Sequence, residues 1–179
     1  MIYFTSDIHF GHKNIIKYCN RDYQNVHDMN SDIIVKWNSI INKDDDVYFL
    51  GDFSLTGKGL RDEILNSLNG KIYFIRGNHD DIKNAHERFE WVKDYHELKM
   101  FDKETGVKQK IIMSHYPFET WNNKHRGSWH LHGHCHGNLP SNDSTARLDV
   151  GWDCFGRPVS YEEIKFLMTR KVFKVETIA

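Results

Sequence analysis

Five polar turns in this sequence carry side chains that can ligate metal, and each follows an apolar run. Ile2-Tyr3-Phe4-Thr5 leads into Ser6, Asp7 and His9, and Val47-Tyr48-Phe49-Leu50 stops at Gly51 and Asp52. Ile72-Tyr73-Phe74-Ile75 breaks at Arg76 and Gly77 into Asn78, His79 and Asp80. Ile111-Ile112-Met113 ends in Ser114 and His115, and the stretch from Trp129 leads to His134 and His136. Carboxylate, amide oxygen and imidazole can ligate a cation, orient a neighbour or carry a proton. With no thiolate in the set, this harder N/O ligation suits manganese, iron, zinc or magnesium better than a structural cysteine–zinc site.

The donors outnumber what one ion needs once room is left for water and substrate, so two cations are expected, and a carboxylate can bridge such a pair. Such a pair, about 3.5–4 Å apart, acidifies a bound water, holds it in line with phosphorus and neutralises charge on phosphoryl oxygens. The expected chemistry is hydrolysis of a phosphoester.

Donors so scattered in sequence need a sheet whose strand ends share one rim. The apolar runs read as buried strands, and Gly77 ends its strand with a turn in which backbone can approach a ligand. Helices are expected between them. Asn14 caps a short one reaching about Cys19. Met29, Ile33, Ile34, Trp37, Ile40 and Ile41 mark an amphipathic helix over Asp28 to Asn42, preceding a solvated turn at Asp44 to Asp46. Leu60, Ile64, Leu65 and Leu68 mark another, closed by Asn69 and Gly70 as a C-cap. Residues 81 to 100 read as a short helix and then a strand, and Asp102 to Gly106 as a hairpin turn. His130, His132, His134 and His136 alternate, which in an extended chain places all four on one face. A polar loop follows over Leu139 to Ala146, then a strand at Arg147 to Val150. Ser160 caps a helix over Tyr161 to Thr169 with Glu163 at the capping-box position, and Lys171 to Thr177 reads as a final edge strand.

Composition narrows the class. The 179 residues are 39% hydrophobic and 13% aromatic, which suits one globular domain over 1–179. Lys plus Arg (24) nearly balance Asp plus Glu (25), and no basic arm is visible, so extended nucleic-acid binding is not expected. Three cysteines without a CxxC pair suggest a reducing, cytoplasmic setting. No stretch is long enough to span a membrane, and the fold is expected to begin at Met1 with nothing to be cleaved. Composition leaves the oligomeric state open.

In order, the motifs Asp7-Ile8-His9, Gly51-Asp52, Gly77-Asn78-His79-Asp80, Ser114-His115 and Gly133-His134-Cys135-His136 resemble those of the calcineurin-like metallophosphoesterases, closest to small bacterial and phage members. The resemblance covers residues 7 to 136. It implies a four-layer αββα sandwich, an α/β fold of two mixed β-sheets flanked by helices with the site at one rim. It further implies that Asp7, His9, Asp52 and His136 hold one divalent metal ion, that Asp52, Asn78, His115 and His134 hold the other, and that Asp52 bridges them. Manganese is the first choice, with iron, zinc, nickel or magnesium as alternatives. His79 would be the general acid facing the leaving oxygen. The expected substrate is a small, nucleotide-like phosphodiester or phosphomonoester. The alternatives are a nuclease on short or single-stranded nucleic acid and a non-catalytic metal-binding scaffold of the same fold. After Gly51-Asp52 the chain reads Phe53-Ser54-Leu55-Thr56-Gly57, without the Asp-Arg-Gly continuation of protein phosphatases. That disfavours a phosphoprotein substrate and leaves the partner orienting His79 unidentified.

Other residues have two readings. His12 either contacts phosphate or supports the ligands, Arg76 either contacts phosphate or pairs elsewhere, and Asp80 orients nearby groups. His132 reads as a support for the ligand pair. His125 and Arg126, in a loop over 116–128 with Trp121 and Lys124, either recognise a phosphate or base or belong to a solvated lid. Cys135 reads as a small core residue with its thiol turned from the metals, and His27, His86 and His96 as surface or helix residues.

Overall fold

The computed structural model describes residues 1–81, 87–101, 106–140 and 144–171. Two mixed sheets face one another. The first contains β1 (Ile2–Thr5), β2 (Asp46–Phe49), β3 (Lys71–Ile75), β4 (Phe89–Lys93) and β9 (Val159–Ser160), in the order β4-β3-β2-β1-β9. All its pairs are parallel except β1 with β9. The second contains β5 (Tyr95–Phe101), β6 (Lys108–Ser114), β7 (Trp129–His132) and β8 (Arg147–Asp149), antiparallel at β5/β6 and parallel at β6/β7 and β7/β8. The helices are α1 (Ile15–Tyr18), α2 (Val26–Ile40), α3 (Lys58–Ser67), α4 (Trp152–Phe155) and α5 (Tyr161–Thr169).

The period of two in the strands divides the apolar side chains between two cores. Tyr3, Val47, Phe49, Ile72 and Phe74 pack with Met29, Ile33 and Trp37 of α2 and Ile64 and Leu65 of α3. Phe4, Tyr48, Leu50 and Ile75 point the other way, against Ile111, Ile112, Met113 and Leu131 of the second sheet and Ile164 and Met168 of α5. A sheet covered on both faces explains why β1, β2 and β3 read as nearly continuous apolar runs. Their register aligns Thr5 with Phe49 and Phe49 with Phe74, so the turns carrying Asp7, Asp52 and Asn78 leave the sheet side by side. Ser6 bridges to Gly151 and its carbonyl accepts from Trp152 N at 2.8 Å, which joins the first turn to the end of the second sheet.

Several expectations need correction. Residues 89–93 are strand β4 rather than helix, because their alternation is satisfied by parallel pairing with β3. Helix α2 is capped by Asn25, whose side chain accepts from His27 N and Asp28 N, so it starts before Asp28. Helix α3 ends at Ser67 with Leu68 extended, so Asn69 and Gly70 are not its C-cap. Asp45 is buried rather than solvated, accepting from Asn42 N at 2.8 Å. His96 lies in β5, its ring 4.7 Å from that of Trp91, rather than on a helix. The Ser160 cap on α5 is observed through Glu163 N at 3.2 Å, while the Glu163 carboxylate pairs with Arg157. The expected turn at 102–106 and strand at 171–177 fall on 102–105 and 172–177, and with His86 and residues 141–143 of the polar loop they lie outside the described residues.

The four alternating histidines do not share a face. Strand β7 ends at His132, and His134 and His136 have φ of +69° and +50°, so the period of two is lost at Gly133. His130 is instead a core residue. Its Nδ1 donates to the Ile112 carbonyl at 3.1 Å, its Nε2 accepts from Phe118 N at 2.9 Å, and its ring stacks on Phe118 at 5.0 Å. Burial lowers its pKa to about 3. A folded-state pKa below the unfolded value contributes stability that is complete above about pH 6.5 and is lost as pH falls toward 3. The urea midpoint should therefore drop between pH 7 and pH 4.5, and His130→Gln should lose less over that interval than the wild type. Equal losses would exclude His130 as the titrating group.

Candidate metal centre

The first turn is pinned to the second by parallel backbone bonds, Asp7 N to Gly51 O at 2.9 Å, His9 N to Asp52 O at 3.0 Å and Phe10 N to Phe53 O at 2.8 Å. The second is pinned to the third by one carboxylate. Asp80 Oδ2 accepts from Asp52 N and Gly77 N, both at 2.7 Å, and its Oδ1 accepts from Phe53 N at 3.0 Å. Asp80 thus holds backbone amides of both turns. Burial raises its pKa against the pull of those three donors. Gly77 has no alternative, since a Cβ there would run into the Asp52 carboxylate.

These turns gather seven donors. Asp7 and Asp52 are buried, as are His9 and His115. Asp52 Oδ2 lies 3.6 Å from His9 Nε2 and 3.5 Å from His115 Nε2, facing two imidazoles from different sheets. On one flank, Asp7, His9 and His136 bring ligand atoms within 4.8 Å of one another, with His136 Nε2 3.9 Å from Asp7 Oδ1. On the other, Asn78 Oδ1 lies 3.0 Å from His115 Nε2 and 2.9 Å from His134 Nδ1. Asp7, Asp52 and His115 form a further such group between them.

The electrostatics fit a cation. Burial pushes Asp7 up to about 7, against the opposing effects of the Ser6 hydroxyl (2.6 Å) and His136. Burial and the neighbouring His136 and Arg21 push His9 down to about 2, so its ring is neutral with one nitrogen lone pair available. Both His9 ring nitrogens are buried without a hydrogen-bond partner among the described residues. An unsatisfied buried polar atom is costly, and a divalent ion is a partner that would relieve it. His115 Nδ1 donates to the Leu50 carbonyl at 2.8 Å, which turns Nε2 toward Asp52 and Asn78.

His79 stands beside this group. Its backbone N donates to Asp52 Oδ1 at 2.9 Å, while its exposed ring lies edge-on to His9 with centroids 5.4 Å apart. Among the described residues that ring accepts no orienting hydrogen bond. His12 is half-buried, its ring 5.5 Å from that of His9 and its Nδ1 without a hydrogen-bond partner among the described residues; burial first, then His79 and Arg21, lower its pKa.

The remaining expected residues make other contacts. Arg76 is exposed and paired with Asp94 (Nε to Oδ1 2.7 Å, Nη2 to Oδ2 2.6 Å), which favours pairing elsewhere over a phosphate contact. His132 is buried, with Nδ1 donating to the Gly133 carbonyl at 2.8 Å. His125 and Arg126 lie on a short 3-10 helix, Lys124–Arg126, and no contact among the described residues joins them to the donors. Trp121 is buried, with its Nε1 donating to Ser128 O at 3.0 Å, so it has no face to offer a base. Cys135 is half-buried rather than in the core.

Sequence reasoning missed Arg21 and Asp153. Asp153 Oδ2 accepts from His136 Nδ1 at 2.6 Å, and Arg21 grips Asp153 through Nε (2.7 Å) and Nη2 (2.8 Å). The same guanidinium donates to the carbonyls of Asp7 (2.8 Å) and Ile8 (2.7 Å). Burial disfavours the Asp153 carboxylate, but Arg21 and His136 outweigh it and hold its pKa down to about 2. No motif links positions 21 and 153: Arg21 stands between Asn20 and Asp22, and Asp153 between Trp152 and Cys154. A carboxylate behind a ligating histidine fixes its orientation and raises its basicity. Asp153→Asn should weaken manganese affinity roughly 10- to 100-fold, read by calorimetric titration, with folding preserved. Unchanged affinity would reduce the network to a structural tie.

Comparison with known proteins agrees with this geometry. The family model for the calcineurin-like phosphoesterases matches residues 1–153. An uncharacterised protein, MJ1445, of Methanocaldococcus jannaschii is 41% identical over 139 residues, covering 76% of this chain and 70% of its own. The gene 66 protein of Mycobacterium phage L5 is 28% identical over 189 aligned positions, covering 90% of this chain and 91% of its own. Among solved structures, that of AQ665 from Aquifex aeolicus, a protein of unknown function, superposes with a TM-score of 0.67 at 22% identity, over 93% of this chain and 98% of that one; it shows a shared fold. No helix among the described residues is long and apolar enough to cross a membrane.

Proposed function

The chain belongs to the calcineurin-like phosphoesterase family, and from that premise we propose that it is a dimetal-dependent phosphoesterase acting on small nucleotide-like esters. The observation that carries this reading is the position of Asp52 Oδ2, within 3.6 Å of His9 Nε2 and 3.5 Å of His115 Nε2, between two sets of donors. Asp7, His9 and His136 would hold one divalent ion, Asn78, His115 and His134 the other, and Asp52 both. Bound there, a pair of such ions would acidify a water and neutralise charge developing on the phosphoryl oxygens. Manganese is the first ion to try, since the donors are imidazole, carboxylate and amide oxygen.

The protein's own contribution is positioning and proton transfer. Asp80 holds the Asp52 and Gly77 amides, and the Asp52 carboxylate itself accepts from His79 N, which together fix its position. His79 is anchored by its backbone to Asp52 while its ring remains exposed beside His9, which suits a group that hands a proton to a leaving oxygen and then exchanges it with solvent. A positioned general acid contributes roughly 10²–10⁴-fold in rate. His79→Ala should lose about that factor in kcat toward bis(p-nitrophenyl) phosphate while retaining two equivalents of manganese by elemental analysis. Asp52→Asn should lose metal as well as turnover. Unaltered turnover in both variants would refute the assignment and leave a metal-binding scaffold.

A further inference from the structure

Two large aromatic side chains stand in solvent against the donor cluster. Tyr116 follows His115; it is 47% exposed, and its ring meets the rings of His115 and His134 edge-on at 5.1 and 4.8 Å. Tyr18 closes α1; it is 73% exposed and meets the ring of His12 edge-on at 6.1 Å. Neither hydroxyl has a hydrogen-bond partner among the described residues. The contacts form one path, from Tyr18 through His12 and His9 to Asp52, and from Asp52 through His115 to Tyr116. Each tyrosine thus flanks a different donor set. His79, 5.4 Å from His9, stands on the flank of Tyr18.

A phosphomonoester presents one organic substituent, whereas a diester presents two, on different sides of phosphorus. We propose that Tyr116 and Tyr18 are stacking walls for the two substituents of a phosphodiester, so that the substrate is a nucleoside diester with a planar base on Tyr116 and its leaving group on Tyr18 and His12. The side assignment rests on the reading of His79 as the acid, since the leaving oxygen must face it. Exposed tyrosine suits this role because it offers a rigid π-face with few rotors. Base–aromatic stacking tolerates any base. With a formal net charge of -1 the chain has no surplus of cations to follow a long phosphate backbone, so recognition falls to one or two nucleosides.

The test compares thymidine 5′-(p-nitrophenyl phosphate) with methyl p-nitrophenyl phosphate, which share a leaving group and differ only in the retained substituent. The manganese-loaded wild type should prefer the nucleoside ester in kcat/KM. Tyr116→Ala should reduce that preference roughly 5- to 100-fold, through KM, with metal content intact, and Tyr116→Phe should keep it. Tyr18→Ala should raise KM for both esters alike. An unchanged preference in Tyr116→Ala, or a loss accompanied by lost metal, would overturn the proposal. Calorimetric binding of a phosphorothioate thymidine dinucleotide supplies a second readout without turnover. Binding weakened in Tyr116→Ala and kept in Tyr116→Phe supports the walls even where neither ester is hydrolysed, a result that would count against the phosphoesterase activity instead. No binding by the wild type, or equal binding by the alanine variant, overturns the walls.

Discussion

Five of the seven donors sit on backbone wound into the left-handed region. Asp7, His9, Asp52, His134 and His136 have φ between +50° and +69°. The only other non-glycine residues with positive φ among the described residues are Asn20 and Asn123, a residue type that tolerates it. Such a conformation costs on the order of 1–2 kcal/mol for an ordinary residue, and persists only where the surroundings over-determine it. Here they do. Thr5, Phe49 and Phe74 in register set where each strand stops, the parallel bonds from Asp7 and His9 lock two turns together, and the Asp80 carboxylate takes three amides at once. Where a strand continues, side chains diverge to opposite faces; where it turns left-handed, neighbouring donors can converge.

The strain also explains how two sheets come to share one centre. The Asp7 carboxylate accepts from His134 N at 2.9 Å, so the first turn of one sheet holds the last turn of the other. A Cβ at Gly133 would collide with Ser6 and Asp7, which is why the turn after β7 can close so tightly onto β1. Behind it, Arg21 ties the Asp7 and Ile8 carbonyls to Asp153, and Asp153 fixes His136. The Asp7 and His136 side of the cluster is therefore braced from behind, the kind of fixed positioning that preorganised electrostatics requires.

Four strand ends were legible in the sequence because short apolar runs stop at a small or polar residue (Ser6, Gly51, Arg76 and Ser114) and the donor residues follow within a few positions. Less local features were not. Alternation over Trp129 to His136 carries no mark of where the strand ends, so the turn at Gly133 and the departure of His130 into the core were hidden. Phe89, Trp91 and Val92 fit either period, and only the exposed partner edge of β3 decides for a strand. Arg21 and Asp153 meet across 132 positions, a separation no spacing rule reaches. Trp121 looked free because its loop is polar, yet its ring fills the second core.

The proposed function puts Asp52 between two cations. Anomalous scattering from crystals soaked in manganese tests it directly. Two peaks, one beside His9 and His136 and one beside His115 and His134, with the Asp52 carboxylate between them, are the predicted result. A single peak, or peaks that do not contact Asp52, would contradict it.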